Sequence, residues 1–384
     1  MYLRQRPRSP ATPPAAPVRL LHVFPTFAVG GVQVRIAEVA RRLGGAYAHT
    51  LLALDGRTDA LARTDPANPW TLIDPSGLSG LKRLPAIRRA LAAAGADILC
   101  TYNFGAMDWA LANRLGPRLA HLHFESGFGP EEAVKPLRRR SLYRRLALAR
   151  VDRLVVPSHG LMENAAAHRW AAPARIRHVV NGVDLAHYHP AARVAPLLET
   201  ADDVPTVVAV APLRTEKRLD RLIALFARAA AHRPDRLLLC GSGPCADALR
   251  AQAGATGLGD RIVLAGQIDD VRRALTPTSV FALTSVTEQM PNALLQAMAM
   301  ARPVVAFDAG DVARILPASD PPQTFDQADA DGFAGALSRL LDDAGLRARL
   351  GRANRERAEA AYDMGAMVAA YDRLYRDALE RRDL

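Results

Sequence analysis

Cysteine, aromatic residues and lysine are all scarce in this 384-residue chain, and each shortage excludes something. Cysteine occurs only as Cys100, Cys240 and Cys245, an odd number without paired C-x-x-C spacing. Neither a disulfide framework nor a structural zinc site is expected, and a reducing cytoplasm is the simplest setting. Aromatics make up 5% of residues, and the chain has neither an aromatic RNP motif nor zinc-finger spacing, so no nucleic-acid module is expected. Lysine appears only at 82, 135 and 217, which leaves arginine to carry almost all of a formal net charge of +11. Abundant Ala and Arg together point to a GC-rich genome as one source of that charge. A basic surface suits nucleic acid, anionic lipid or phosphorylated metabolites, and charge alone does not choose among them. No apolar run reaches the roughly 18 uncharged residues that a membrane span needs. The first 17 residues are basic and rich in Pro and Ala without an apolar h-region, so they read as a disordered tail rather than a secretory signal.

What is present is a globular composition, 49% apolar, in a chain long enough for two ordinary domains. Val18–Phe24 reads as a buried first strand, followed by Gly30-Gly31 and a helix ending at Gly44-Gly45. Further strands are expected at 49–54, 98–102, 118–124 and 151–157, with helices near 81–93 and over 106–115, and a helix capped by Ser158. Periodicity fades between 186 and 204, where Pro190 and Pro196 appear, and this is the expected linker. A second series then alternates strands at 206–211, 236–240 and 261–265 with helices at 219–232, 246–253 and 271–275, before a helix near 331–344. Strand–helix alternation of this kind implies two doubly wound parallel-sheet domains, 18–185 and 205–357, with a cleft between the carboxyl ends of their strands. A final helix is expected over 358–379, with Met364, Met367, Tyr371 and Tyr375 on one face.

The most informative stretch runs from Thr284 to Ala299. A buried strand, 280–283, leads through a polar loop to Pro291-Asn292, with Asn292 suited to an N-cap and Pro291 to a first turn. Leu294, Leu295 and Met298 give the helix an apolar face, and Arg302-Pro303 ends it before a second strand at 304–307. A strand that feeds a helix through a loop presents unpaired N–H groups and a positive dipole end, which favours a phosphate. Glu288 in the loop and Gln296 one turn into the helix are placed to meet a ligand there.

Ser285-x-x-Glu288 through Gln296-Ala297, continued by Arg302-Pro303-Val304-Val305 and Asp308-Ala309-Gly310, resembles the donor-site signature of glycosyltransferase family 4. In that signature Ser-x-x-Glu-Gly-x-Pro-x-x-x-x-Glu-Ala precedes Pro-Val-Val and a short acidic-Gly loop. The family's second Glu is Gln296 here. Other segments resemble the family in order and spacing: Gly30-Gly31-Val32-Gln33 after the first strand, His121-x-His123-Phe-Glu125, Ser158, Asn181-Gly182-Val183-Asp184 with Tyr188-x-Pro190, and Gly241-Ser-Gly243-Pro. The last also fits a loose dinucleotide fingerprint with Asp260 downstream, a weak match set aside because the family carries Gly-x-Gly-Pro at this place.

The resemblance implies a GT-B fold, two Rossmann-like domains facing a cleft with the last helix crossing back to the first. It also implies a retaining, metal-independent sugar transfer from a nucleotide-diphosphate sugar, with no cofactor. In that reading His123, Glu288 and Lys217 are the catalytic candidates. Gly30, Gly31, Arg214, Lys217, Met290, Pro291, Asn292, Ala293, Leu294 and Gln296 bind the donor, and Gln33 and Glu125 face the acceptor. The family's diphosphate-gripping Arg is Pro212 here, so Arg214 is the expected substitute beside Lys217. A glycan or lipid-linked saccharide in bacterial surface or exopolysaccharide assembly is the expected acceptor. The basic, apolar-interleaved stretch from Lys135 to Arg145 suits anionic lipid on the inner face of a membrane. Pro212 and Gln296 also fit another reading, a noncatalytic binding or scaffolding partner in a polysaccharide-assembly complex.

Overall fold

The computed structural model describes residues 16–127, 132, 137–198 and 204–380. The tail expected at 1–17 therefore lies, up to residue 15, outside the described residues. The first half of the chain runs β1 (Val18–Phe24), α1 (Gly31–Leu43), β2 (Tyr47–Ala53), β3 (Thr71–Leu72), α2 (Leu84–Ala93), β4 (Ile98–Tyr102), α3 (Met107–Leu115), β5 (Ala120–Phe124), α4 (Arg138–Ala147), β6 (Arg153–Val156), α5 (His159–Ala167) and β7 (Ile176–His178). Its seven strands lie in the order β3-β2-β1-β4-β5-β6-β7, and β1 pairs in parallel with both β2 and β4.

The second half runs β8 (Thr206–Val210), α6 (Leu219–Ala229), β9 (Arg236–Cys240), α7 (Ala246–Ala255), β10 (Ile262–Gly266), β11 (Ser279–Leu283), α8 (Asn292–Ala299), β12 (Val304–Phe307), α9 (Val312–Ile315), β13 (Thr324–Phe325), α10 (Ala330–Asp342), α11 (Ala344–Ala361) and α12 (Met364–Glu380). Six parallel strands take the order β10-β9-β8-β11-β12-β13. Neighbouring residues of β8 point to opposite faces. Val207 and Ala209 join a core with α6, α7 and α10, while Val208 joins another with α8. Both faces are covered, as apolar parallel strands require.

By contacts the chain forms two compact units. One comprises residues 1–124, 143–154 and 371–384, and the other residues 125–142 and 155–370. The segment expected as a linker, 186–204, falls within the second unit. The last helix begins in the second unit and ends in the first, where Tyr371 stacks on Phe124 at 5.4 Å and Asp372 accepts from the Tyr47 hydroxyl at 2.6 Å.

Two helices differ from expectation. The helix expected over 271–275 is a single 3-10 turn, Val271–Arg273, because Pro277 disfavours helical conformation at Thr276. The helix expected to start at 358 starts at Met364 instead, since residues 358–361 finish α11. Val183 separates the two helices: its N–H donates to the Tyr362 carbonyl at 2.8 Å and its carbonyl accepts from Met364 at 3.1 Å, a short parallel bridge at Asp363.

Candidate active site

In the second sheet the strand order reverses at β8, whose neighbours are β9 on one side and β11 on the other. The loops leaving the carboxyl ends of β8 and β11 therefore lie side by side, at the place where open α/β sheets bind ligands. The loop after β8 is held by the next strand's loop: Ala211 donates to the Cys240 carbonyl at 3.0 Å and Leu213 to that of Ser242 at 2.9 Å. Gly241 makes this approach possible, for at its φ of 147° a Cβ would stand 1.9 Å from the Ala211 oxygen. Gly-Ser-Gly-Pro is thus a backbone-packing device here.

The two loops are tied together. The Thr284 hydroxyl lies 3.0 Å from the carbonyls of Lys217 and Arg218, and Val286 N–H donates to the Glu216 carbonyl at 2.9 Å. This brings Lys217 Nζ to 2.6 Å from Glu288 Oε1, and the Ser285 hydroxyl donates to the same oxygen at 2.7 Å. Both side chains remain reachable, with 17% and 12% exposure for Lys217 and Glu288. Oε2 of Glu288 has no hydrogen-bond partner among the described residues. Gly310 closes the other side, with a φ of 62° and an ideal Cβ position 1.9 Å from the Glu288 carbonyl oxygen.

Helix α8 starts one residue away from the expected cap. Pro291 occupies the N-cap position in extended conformation, and Asn292 is the first helical residue. The Asn292 side chain does not cap the helix but accepts from Asn181 Nδ2 at 2.9 Å, and the same nitrogen lies 2.9 Å from the Met290 carbonyl. Asn181, in the segment expected to build a turn, thereby anchors the start of α8. The Leu294 amide is already donated to the Pro291 carbonyl at 3.1 Å and its side chain is buried. Ala293 N–H has no partner among the described residues. Gln296 spends its amide nitrogen on the Tyr188 hydroxyl at 2.9 Å.

Of the neighbouring cations, Arg218 is forked onto Asp220 at about 3.1 Å, whereas the Arg214 side chain is exposed and unpaired among the described residues. Gly30 and Gly31 sit at the start of α1, and Gln33 turns back to donate to the Thr26 carbonyl at 2.9 Å, supporting that loop. His123 lies inside β5 with no exposure, its Nδ1 2.8 Å from the Thr101 hydroxyl, which also meets His121 Nε2 at 2.8 Å. Glu125 is buried just beyond that strand, its N–H donated to the Val155 carbonyl. His123 falls in the first unit, and Glu288, Lys217 and Glu125 in the second.

One residue escaped the sequence reading. Gln289 stands where the family signature has Gly, and its Oε1 accepts from the Ser158 hydroxyl at 2.6 Å. Its place in the signature was the available signal. Ser158 also caps α5, accepting from Leu161 N–H.

Residues 29–187 match the family model described as Glycosyltransferase Family 4, and residues 204–343 match the one described as glycosyl transferases group 1. Both halves of the chain thus match glycosyltransferase models, the first of them that of family 4. Among curated relatives, LpsE of Rhizobium meliloti, a lipopolysaccharide core biosynthesis glycosyltransferase, is 29% identical over 45% of the chain and 50% of its own length. A D-inositol 3-phosphate glycosyltransferase of Salinispora tropica is 27% identical over 86% of the chain and 78% of its own length. Apart from such longer matches, the chain spans about half the length of the curated relatives it matches. The solved structure of Anabaena HepE in complex with UDP and glucose is 16% identical, with a TM-score of 0.78 over 94% of this chain and all of that one. It shares the GT-B fold.

Proposed function

We propose that this chain transfers a sugar from a nucleotide-diphosphate sugar to a glycan or lipid-linked acceptor in bacterial surface or exopolysaccharide assembly, with retention of configuration and no metal in the transfer step. The observation that carries this reading is the anchoring of Glu288 through one oxygen, by Lys217 and Ser285, with the other oxygen left to accept from a sugar hydroxyl. As the bond from the anomeric carbon to phosphate breaks, positive charge grows on the sugar and negative charge on the leaving diphosphate. Glu288 holds the sugar in place. Lys217, Arg214 and the α8 N-terminus at Ala293 stabilise the diphosphate. The acceptor hydroxyl oxygen bonds to the anomeric carbon as the nucleoside diphosphate departs, and the hydroxyl proton passes to the leaving phosphate oxygen. The UDP and glucose in HepE and the lipopolysaccharide role of LpsE support a nucleotide-sugar donor and a surface-glycan acceptor.

Donor turnover tests this directly. Incubation with a panel of nucleotide sugars is expected to give slow hydrolysis, and Glu288→Ala should lower its rate by about a hundredfold or more, the scale seen when a positioned electrostatic group is removed. If no donor turns over while a nucleoside diphosphate still binds, the noncatalytic scaffolding role takes its place.

The acceptor side includes an inner-membrane surface in this proposal. Helix α4 exposes Arg138 and Arg139 together with Leu142 and Leu146, which are 58% and 48% exposed, and Lys135 lies outside the described residues. Among the described residues no helix is long and apolar enough to cross a membrane. Cationic and apolar groups on one short helix suit anionic lipid headgroups. Co-sedimentation with vesicles containing phosphatidylglycerol should fall severalfold when Arg138, Arg139 and Arg140 are replaced by Gln; unchanged pelleting would remove membrane docking from the reading.

A further inference from the structure

Three side chains from separate parts of the second unit converge at the start of α5. His159 is the first residue of that helix, His178 is the last of β7, and Asp311 sits in the loop between β12 and α9. A ligand-capable atom of each lies within 4.8 Å of the others, and the two imidazole rings are 4.3 Å apart, tilted by 52°. They form the one such group of three among the described residues.

Two of the three side chains are already oriented by hydrogen bonds. His178 Nε2 lies 3.1 Å from the Pro157 carbonyl oxygen, which can only accept, so Nε2 carries the proton and Nδ1 presents a lone pair. Metal-bound imidazoles are commonly fixed in this way, by donating the second ring nitrogen to a carbonyl. The two Asp311 oxygens accept from the amides of His159, at 2.5 Å, and Gly160, at 3.1 Å. Each oxygen keeps a second lone pair, and the positive end of the helix dipole faces the pair of them. The His159 ring makes no hydrogen bond among the described residues.

We infer that His159, His178 and Asp311 bind a divalent transition metal of the zinc class, with two nitrogen donors, one oxygen donor and a remaining position for water. Ligand atoms around a tetrahedral zinc stand roughly 3.3 Å apart, given metal–ligand bonds of about 2 Å. Here the ligand atoms lie within 4.8 Å of one another, so binding must draw them together by up to about 1.5 Å. The ion would lie off the reacting atoms and take no part in the transfer step.

Its neighbours give it a second consequence. Ser158, adjoining His159, donates to Gln289, and Gly310, adjoining Asp311, lies against the Glu288 carbonyl. A bound ion draws together the two segments that flank the Glu288–Gln289 pair, and so tunes donor affinity. This coupling rests on the proposed donor site; the metal site itself does not.

The full chain, stripped with EDTA, is titrated with Co²⁺ and then Zn²⁺. One equivalent of Co²⁺ is expected to give a visible absorption band that Zn²⁺ displaces, and His159→Ala and His178→Ala should each weaken Zn²⁺ binding by about tenfold or more. Replacing His187 and His189, which lie in a different loop, should leave it unchanged. UDP affinity is expected to shift severalfold with Zn²⁺ in the unsubstituted chain and not in the His159→Ala/His178→Ala double variant. Absence of saturable binding, or binding indifferent to both histidines, overturns the site. Zn²⁺ binding that needs both histidines but leaves UDP affinity unmoved refutes the coupling. A chain that binds Zn²⁺ and no nucleotide refutes the donor-site reading instead.

Discussion

The two sheets share one winding rule and differ in where they keep polarity. In the second, every polar residue on a strand is the strand's first residue, as with Thr206, Arg236, Ser279 and Thr324, and the rest is apolar until the chain leaves the sheet. Charge then appears at the carboxyl ends, at Lys217 and Glu288. In the first sheet polar side chains sit inside the strands. His22 lies 2.9 Å from the Tyr102 hydroxyl and 3.0 Å from His49, while His121 and His123 share the Thr101 hydroxyl. All are buried. One sheet places its polar groups where a ligand can meet them, and the other spends them on internal order, at the cost of keeping several histidines neutral.

Acid should separate the two sheets most clearly. Burial holds the His49 pKa at about 4 and that of His121 at about 3, and pushes His22 well below its ordinary value, whereas unfolded histidine protonates near 6.5. Below that pH the unfolded state binds more protons, so the stability due to these groups is complete above pH 6.5 and lost as pH falls towards 4. His49 alone is worth about 3 kcal/mol across that window. Amide-exchange protection factors in β2 and β5 should drop between pH 7 and pH 5 while those in β9 and β11 hold; equal losses in both sheets would erase the distinction.

A calorimetric series on UDP probes the other half of the comparison. Arg214→Ala should weaken binding by roughly tenfold to a hundredfold, the loss of a charge-assisted hydrogen bond worth about 1.5–3 kcal/mol. Arg218→Ala, which removes a side chain already engaged by Asp220, should matter far less. Gln296→Glu is expected to tighten binding by about fivefold, near 1 kcal/mol, because a carboxylate can accept from Tyr188 and still offer an oxygen to a ribose hydroxyl. Indifference to Arg214→Ala, or weaker binding after Gln296→Glu, would detach these residues from the donor.

Most of the winding was legible because strands such as 18–24, 98–102 and 236–240 are short, mostly apolar runs between turn residues. Helix α11 was not. Its buried face includes Gly351, whose ideal Cβ would stand 2.1 Å from the Ala301 oxygen, and Asn354, which bonds Gln323 and the Arg302 carbonyl. With Gly351 and Asn354 standing between Leu350 and Ala358, the hydrophobic period breaks off after the helix's first turns. Two-residue strands β3 and β13 are too short to alternate at all. At the site, Glu288 and Lys217 were visible singly through their motifs, but their pairing depends on β8 lying beside β11, a neighbourhood that local sequence does not encode. The Gln296–Tyr188 and Gln289–Ser158 contacts were hidden for the same reason, each joining residues more than a hundred positions apart.

The last helix has a consequence for the order of synthesis. Phe124 and Tyr47, both made early, receive their aromatic and hydrogen-bonding partners from Tyr371, Asp372 and Tyr375, among the last described residues. At about 5–20 residues per second, a ribosome needs on the order of tens of seconds to supply them. Until then the first unit lacks one wall of its own core, and whatever shields that gap in the growing chain helps decide how much protein matures.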